Sequence, residues 1–247
     1  MERITSRQNK LMQHIRKLQS SRSYRYQCGQ FVAEGTKLLE EAVRWYDGLD
    51  TVVVQEGIQV SVPERVRLVE VPVDLMRAIS NMDAPQGALF LCNMPEGKEP
   101  DIQPGSLVLD GIQDPGNLGT ILRTADALEV PVYLTEGCAD PYSDKTVRAT
   151  MGAVFRTMPQ QISRENLLRI CNEKHIPLAV TALTEAATDI RDAELSNMAV
   201  VIGSEGRGVS PELLEKSDAQ FIIPMNSRCE SLNAAVAATI VMWQMKR

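Results

Sequence analysis

The chain has little of what marks a membrane-spanning, disulfide-bonded or secreted protein. No apolar run reaches the roughly 18 residues that a membrane span needs, and the first seven residues lack the hydrophobic stretch of a signal peptide. The five cysteines are odd in number and lie far apart without a C-x-x-C pair, which argues against a disulfide framework or a zinc site. We therefore expect a protein of the reducing cytoplasm, with Cys229 as a buried packing residue.

The small number of histidines and the lack of glycine-rich nucleotide motifs argue against several further classes of enzyme. His14 and His175 are the only histidines, so a multi-histidine metal site or a histidine-based triad is not supported, and both are expected to be structural. A G-x-G-x-x-G fingerprint followed by an acid is missing, as is a Walker loop ending in Gly-Lys-Ser/Thr. The sequence therefore supports neither a Rossmann oxidoreductase nor a P-loop ATPase.

Charge is distributed unevenly along the chain. The net charge is −6, yet residues 1–28 hold seven basic side chains against the single acid Glu2, a local charge of +6 that leaves −12 for the rest. This asymmetry is expected when one face approaches phosphate, and a solvated basic helix explains it equally well. The candidate nucleic-acid contacts in this basic arm are Arg3, Arg7, Lys10, Arg16, Lys17, Arg22 and Arg25.

Apolar strands alternate with helices along the chain, which is typical of an α/β fold. Residues 93–105 hold three prolines and two glycines without periodicity, so we place a linker there, between a domain at residues 1–97 and a domain at residues 105–247. Val154–Met158 is predicted to be a strand. The last helix, predicted from Ser231 to about Met245, is apolar almost all round, and we expect it to be buried in this core and against a partner subunit.

Three polar or glycine-rich turns stand out in the second domain, each between a predicted strand and a predicted helix. They are Asp114–Thr120 leading into Arg123, Gly203–Gly208, and Ile223–Met225 followed by Ser231–Asn233. Such turns present backbone N–H groups and short polar side chains at the carboxyl edge of an α/β sheet, where these folds bind ligands. The three turns are therefore predicted to form one composite site.

The segments that carry these turns also resemble a known family. Leu107–Ala125, Val200–Pro211 and Ile222–Ala238 are similar, in order and spacing, to the three motifs of the SpoU-type (TrmH-like) RNA 2′-O-ribose methyltransferases of the SPOUT superfamily. The first half, with Ile4-Thr5-Ser6 and Phe31–Gly35, looks like the substrate-binding domain that many members carry. The resemblance implies a carboxyl-terminal SPOUT domain with a trefoil knot, preceded by a small ribosomal-protein-like α/β RNA-binding domain. It also implies S-adenosylmethionine as cofactor and a homodimer formed through the carboxyl-terminal domain.

The resemblance further assigns expected roles to individual residues. The motif positions expected to be catalytic are Asn117, Arg123, Glu205, Ser231 and Asn233, and those expected to hold the cofactor are Gly203, Ile223, Leu232 and Thr181. Ser227 stands where the family often has glycine. Simpler interpretations remain open, because asparagine and serine also cap helices, Glu205-Gly206 could be an ordinary turn, and Arg123 could be a surface ion-pair residue.

The expected function is methyl transfer from S-adenosylmethionine to a ribose 2′-hydroxyl of structured RNA, with ribosomal RNA favoured over transfer RNA and no metal required. The enzyme must align the hydroxyl with the sulfonium methyl and help remove a proton. Since a guanidinium has a pKa above about 12, Arg123 is either a base in an unusual environment or a phosphate clamp. The alternatives are a transfer-RNA enzyme, an antibiotic self-protection enzyme, a small-molecule or protein methyltransferase, and a non-catalytic RNA-binding or ribosome-assembly protein.

Overall fold

The computed structural model describes residues 2–97, 99–226 and 228–247. The chain forms two compact units, one made of Met1–Gly97 with Tyr142–Arg156 and the other of Lys98–Pro141 with Thr157–Arg247. The predicted linker at residues 93–105 includes the first junction between the units. Tyr142–Arg156, which the predicted boundaries assign to the second domain, belongs to the first unit.

The described residues alternate between strands and helices in both units. The strands are β1 (Glu2–Arg3), β2 (Gln30–Glu34), β3 (Leu49–Gln55), β4 (Arg67–Val71), β5 (Ala88–Asn93), β6 (Ser106–Asp110), β7 (Val132–Leu134), β8 (Gln160–Gln161), β9 (Leu178–Thr181), β10 (Thr188–Asp189), β11 (Ala199–Gly203) and β12 (Ala219–Ile222). The α-helices are α1 (Lys10–Ser20), α2 (Arg22–Cys28), α3 (Thr36–Trp45), α4 (Val73–Ile79), α5 (Pro115–Ala127), α6 (Asp144–Ala149), α7 (Arg164–Lys174), α8 (Pro211–Glu215) and α9 (Ala234–Met245). Within the described residues, no helix has the length and apolar character needed to cross a membrane.

The first unit is built on a mixed five-stranded sheet in the order β1-β4-β3-β5-β2. On one face, Met12, Ile15 and Leu18 of α1 are fully buried against the sheet together with side chains of α4. Their spacing of three residues places them along one side of the helix, which leaves the basic residues of α1 on the other. Three residues of the predicted basic arm, Lys10, Arg16 and Lys17, therefore lie on the outer surface of a helix whose apolar face belongs to the core.

The other face of this sheet carries an aromatic cluster that includes the inserted segment. Side chains alternate between the two faces of a strand, so Phe31 and Phe90 lie opposite the α1 face. The ring of Tyr142 is 5.1 Å from that of Phe31, and the ring of Phe155 is 5.9 Å from that of Phe90. The strand predicted at Val154–Met158 is wrong, because Ala153–Phe155 forms a 3₁₀-helix. Valine and phenylalanine favour strands locally, but here they are buried in a tertiary cluster.

The second unit contains a seven-stranded, entirely parallel sheet in the order β10-β12-β9-β11-β6-β7-β8. Leu107 and Leu109 of β6 pack with α5 and α9, whereas Val108 between them packs with α7 and α8. Both faces are therefore covered by helices, which explains why strands β6 and β11 are almost continuously apolar. The predicted α/β class is confirmed, and the trefoil knot stays a prediction.

The parallel arrangement determines where the three turns lie. Strands β6 and β11 are hydrogen-bonded neighbours in register, so the turns after Asp110 and Gly203 emerge at one edge of the sheet. The chain leaves β12 at the same edge and enters α9, which packs against α5. Helix α9 begins at Ala234 rather than at the predicted Ser231, with Asn233 as its N-cap.

Candidate active site

Side chains from all three turns meet at a single carboxylate oxygen. Oε1 of Glu205 accepts hydrogen bonds from Nδ2 of Asn117 (2.7 Å), from Nδ2 of Asn233 (3.1 Å) and from the backbone N–H of Ala234 (3.0 Å). Nδ2 of Asn233 also donates to Oδ1 of Asn117 (2.9 Å). The structure thus brings Asn117, Glu205 and Asn233 into a closed triangle, although they are separated by 88 and 28 residues along the chain.

Capping geometry explains how the two asparagines reach the carboxylate. Asp114 caps α5 by accepting the backbone N–H of Asn117 (2.7 Å), and Pro115 occupies the first turn. The interpretation of Asn117 as a cap is therefore wrong, since its side chain turns towards Glu205. Asn233 caps α9 through Oδ1, which accepts the N–H of Ala235 (2.9 Å), and its Nδ2 remains for the triangle.

Glu205 lies at the tip of a tight turn. Ser204 and Gly208 exchange two backbone hydrogen bonds, of 3.1 and 2.8 Å. A Cβ on Gly203 would lie 2.0 Å from the carbonyl carbon of Gly208, and Gly208 itself has a φ of +67°. The close backbone approach excludes any side chain at Gly203, and glycine is favoured at the positive φ of Gly208, so the two glycines hold Glu205 in place beside α9.

A cavity of about 570 Å³ opens next to the triangle. All four predicted cofactor residues line it, namely Thr181, Gly203, Ile223 and Leu232. Ser231 and Glu205 also face it, together with apolar side chains of β11, β12 and α9. A smaller cleft of about 230 Å³ shares the Ser204–Arg207 turn with this cavity and is also lined by Gln113, Asp114 and Asn117. Glu205 therefore borders both an apolar cavity and a polar cleft.

Two predicted catalytic residues stand apart from the triangle. Arg123 is exposed on α5, and its side chain makes no hydrogen bond or ion pair within the described part of the chain, so the surface ion-pair interpretation has no support. Ser231 is exposed at the cavity and likewise has no hydrogen bond to a described residue. Ser227 lies outside the described residues. Cys229 is exposed, so its interpretation as a buried packing residue is wrong.

One buried carboxylate escaped the sequence reasoning. Asp110, at the end of β6, is 3% exposed. Its Oδ1 accepts from Thr135 Oγ1 (2.6 Å) and from Arg164 Nε (2.8 Å), and its Oδ2 accepts from the backbone N–H of Ser210 (2.7 Å). Burial by itself raises the pKa of Asp110, but these hydrogen bonds outweigh it and hold the pKa below its ordinary value. An acid at the end of an otherwise apolar strand was the available signal.

The candidate RNA contacts of the first unit differ in their surroundings. Arg25 is 5% exposed, and its Nη1 donates to the carbonyl oxygens of Leu18 (2.5 Å) and Gln19 (3.4 Å). The prediction that Arg25 contacts RNA is therefore wrong, because its guanidinium is buried and stabilises the end of α1. Arg3 forms an ion pair with Glu56.

The remaining basic residues are exposed. Arg7 lies 3.8 Å from a carboxylate oxygen of Asp74, a long pair between two exposed side chains. Four others have no acidic partner within the described ranges, namely Lys10, Arg16, Lys17 and Arg22. These four leave a positive surface on the outside of α1 and α2.

The sequence matches the profile of the SpoU rRNA Methylase family over residues 105–243, and that of an MRM3-like substrate binding domain over residues 9–89. The 23S rRNA (guanosine(2553)-2′-O)-methyltransferase RlmP of Bacillus subtilis (strain 168) is 31% identical over 252 residues, which covers 100% of both chains.

Two solved structures share the fold over nearly the whole chain. An AdoMet-bound rRNA methyltransferase from Sinorhizobium meliloti has a TM-score of 0.87 at 29% identity, covering 99% of this chain and 97% of that chain. A TrmH-family protein from Porphyromonas gingivalis has a TM-score of 0.85 at 33% identity, covering 94% and 95%. These likenesses confirm the resemblance drawn from the three motifs. The chain belongs to the SpoU rRNA methylase family.

Proposed function

We propose that this chain transfers the methyl group of S-adenosylmethionine to the 2′-hydroxyl of one ribose in ribosomal RNA. The observation that carries the proposal is the triangle of Asn117, Glu205 and Asn233 at the border between an apolar cavity and a polar cleft. RNA of the large ribosomal subunit is the first candidate, because the Bacillus subtilis relative that matches over its full length is named for 23S rRNA.

The cavity suits the proposed cofactor in size, polarity and charge. Its volume of about 570 Å³ lies within the usual range for sites that hold compounds of this size. Ile202, Ile223 and Leu232 offer an apolar wall for a purine ring. The charged side chains that line it are Glu205, Glu230 and Arg207, a net charge of −1 that favours a sulfonium cation. When bound there, S-adenosylmethionine supplies an electrophilic methyl group.

Glu205 is proposed to position the reacting ribose. Its Oε1 is held by three donors, whereas no described residue donates to Oε2. A carboxylate fixed through one oxygen can accept a hydrogen bond from a ribose hydroxyl with the other, at little cost in side-chain entropy. Ser231, exposed at the cavity, is proposed to bind the same ribose. With the ribose held in this way, the 2′-oxygen would face the methyl group that the cofactor would supply, and the hydroxyl proton would pass to solvent water.

Arg123 is proposed to clamp a phosphate next to that ribose. The side chain is exposed on α5, the helix that also carries Asn117, and within the described ranges it has no acidic partner. An arginine without an internal partner suits bidentate binding of a phosphate supplied by the substrate. This role fits an arginine whose exposed side chain makes no hydrogen bond or ion pair with a described residue.

The first unit is proposed to bind the RNA. Residues 9–89 match an MRM3-like substrate binding domain, and exposed basic residues lie on α1 and α2. RNA is the appropriate partner because it carries the 2′-hydroxyl that the reaction needs. Phosphate contacts by several cations predict an affinity that falls steeply as the salt concentration rises.

The proposal also includes the oligomeric state and the location of the chain, which we expect to be a homodimer in the cytoplasm. Val236, Ile240 and Trp243 follow each other at helical spacing on α9 and are 49%, 36% and 69% exposed. An apolar stripe of this kind on the surface of a helix is typical of a subunit interface. We propose that two copies of the chain associate through α9.

The proposal is tested by incubating the purified protein with tritiated S-adenosylmethionine and total RNA from a strain that lacks the gene, followed by nucleoside analysis. A 2′-O-methylated nucleoside confined to ribosomal RNA supports the proposal. Label confined to transfer RNA, or on a base, contradicts it. Absence of transfer by protein that binds the cofactor in calorimetry contradicts the catalytic role itself.

A further inference from the structure

We infer that Arg22 and Tyr26, side by side on α2, form a stacking site for one unpaired base of the RNA substrate. The inference rests on the proposed function only in taking RNA as the substrate. It adds a specific contact, and it restricts the RNA that α2 contacts to single-stranded or looped nucleotides.

The two side chains form an exposed cation–π pair. They are four residues apart on α2, so they lie on the same side of the helix. The guanidinium carbon of Arg22 is 5.5 Å from the centroid of the Tyr26 ring, and Tyr26 is 39% exposed. The ring of Tyr142, itself buried, meets Tyr26 in an edge contact at 6.1 Å. The tyrosine ring is thus held by packing while part of it faces solvent.

The surroundings of this pair are positive. No aspartate or glutamate occurs between residues 3 and 33. A second cation–π pair lies nearby, with Nζ of Lys17 5.6 Å from the ring of Tyr24. Arg16 and Lys10 are exposed on α1 without an acidic partner in the described part of the chain. The surface therefore combines an aromatic ring with a row of uncompensated cations.

This combination selects unpaired RNA among the possible partners. Single-stranded nucleic acids are bound by cations that contact the backbone and by aromatic or guanidinium planes on which bases stack. Bases inside a duplex are already stacked on each other, so they have no face left for Tyr26. A duplex would contact the cations alone. An acidic protein partner would also use the cations, but it would not need the paired planes of Arg22 and Tyr26.

Another cation–π pair of the same unit, formed by Arg44 and Trp45, provides a matched control. The guanidinium carbon of Arg44 is 4.9 Å from the ring of Trp45, which is 51% exposed. This pair has acidic residues close in sequence, Glu40 and Asp47, both exposed. Its chemistry is similar but its surroundings are not positive, so Trp45 is not expected to bind RNA.

The test compares variants of the full chain in binding a short fluorescein-labelled single-stranded RNA and the matching RNA duplex, followed by fluorescence anisotropy over a salt series. Tyr26→Ala should weaken single-strand binding about tenfold, the lower part of the range for loss of one stacked base, and leave duplex binding unchanged. Tyr26→Phe, which keeps the ring, should bind like the wild type, as should Trp45→Ala. Arg22→Ala should also reduce the salt dependence by about 0.7 in log–log slope for one lost single-strand phosphate contact.

The stacking site is overturned if Tyr26→Ala binds the single strand as the wild type does, or if Trp45→Ala loses as much affinity. An equal loss on the single strand and the duplex also overturns it. Thermal unfolding of each variant shows whether a loss reflects the fold. The binding test is independent of catalysis. If Tyr26→Ala loses single-strand affinity but the wild-type protein transfers no methyl group, the stacking site is supported and the proposed function is contradicted.

Discussion

Replacement of Asp110 by asparagine removes one charge from the buried network that joins β6 to the turn before α8. In the wild type, Oδ1 accepts from Thr135 and Arg164, and Oδ2 accepts from the N–H of Ser210. Asparagine has one oxygen and one NH₂ group. If its oxygen keeps the bonds to Thr135 and Arg164, its NH₂ faces the N–H of Ser210, and two donors oppose each other.

The expected cost follows from these contacts. A buried N–H without an acceptor costs about 1–3 kcal/mol. Loss of the charge beside Arg164 adds about 1 kcal/mol, less than in a fully buried pair because the Arg164 side chain is 26% exposed and meets solvent. We therefore expect Asp110→Asn to lower the free energy of unfolding by about 3 kcal/mol, measured by urea denaturation at neutral pH.

A surface pair serves as the control for this measurement. Glu173 accepts from Arg169 at 2.8 Å, four residues away on α7, and both side chains are more than half exposed. Glu173→Gln removes one charge from this pair and should cost only about 0.3–0.5 kcal/mol. A cost for Asp110→Asn within that same small range would refute the conclusion that the Asp110 network stabilises the unit.

The same network predicts how the difference in free energy of unfolding between the wild type and Asp110→Asn depends on pH. The pKa of Asp110 is lower in the folded chain than the value of about 3.9 in the unfolded chain. The carboxylate therefore stabilises the fold fully above about pH 4, and this contribution is lost as the pH falls through the folded pKa. Asparagine has no such contribution, so the stability gap between wild type and variant should narrow on acidification. A gap that stays constant down to about pH 2.5 would contradict this assignment.

Three further predictions concern the proposed active site and the dimer. Glu205→Ala removes the acceptor of the Asn117 amide and of the Ala234 N–H, and should slow single-turnover methyl transfer by about a hundredfold, whereas an unchanged rate would remove its positioning role. Arg123→Ala should abolish methylation with cofactor binding unchanged in calorimetry, and wild-type activity in this variant would exclude the phosphate clamp. Trp243→Asp places a charge in the apolar stripe of α9 and should give monomers in analytical ultracentrifugation, a result that persistent dimers would contradict.

Local sequence signals account for much of the fold. Apolar runs such as Leu107–Leu109 are typical of strands buried on both faces, and the parallel sheet has that arrangement. The three motif segments identified the family because they combine turn residues with particular polar side chains at short spacing. The predicted cofactor residues Thr181, Gly203, Ile223 and Leu232 line one cavity at one edge of the parallel sheet.

Local signals failed where neighbouring polar residues are equally suited to cap the same helix. Asn117 and Ser231 were both compatible with capping a helix, but Asp114 and Asn233 do so. The side chain of Asn117 is instead hydrogen-bonded to Glu205, which lies 88 residues further along the chain. Patterns within a helix or a turn do not predict a contact between residues separated so widely in sequence.

The sequence alone therefore determined the α/β class, the turns that carry polar groups, and the family to which the chain belongs, because these depend on residues within a few positions of each other. Only the tertiary structure decided that Arg25 is buried at the end of α1 and that Asp110 joins three elements. It also decided that Tyr142–Arg156 packs with the first unit. The physical reason is that residues from distant parts of the chain compete for the same buried positions and hydrogen-bond partners. The folded arrangement decides which of them come into contact, and the local pattern does not contain this information.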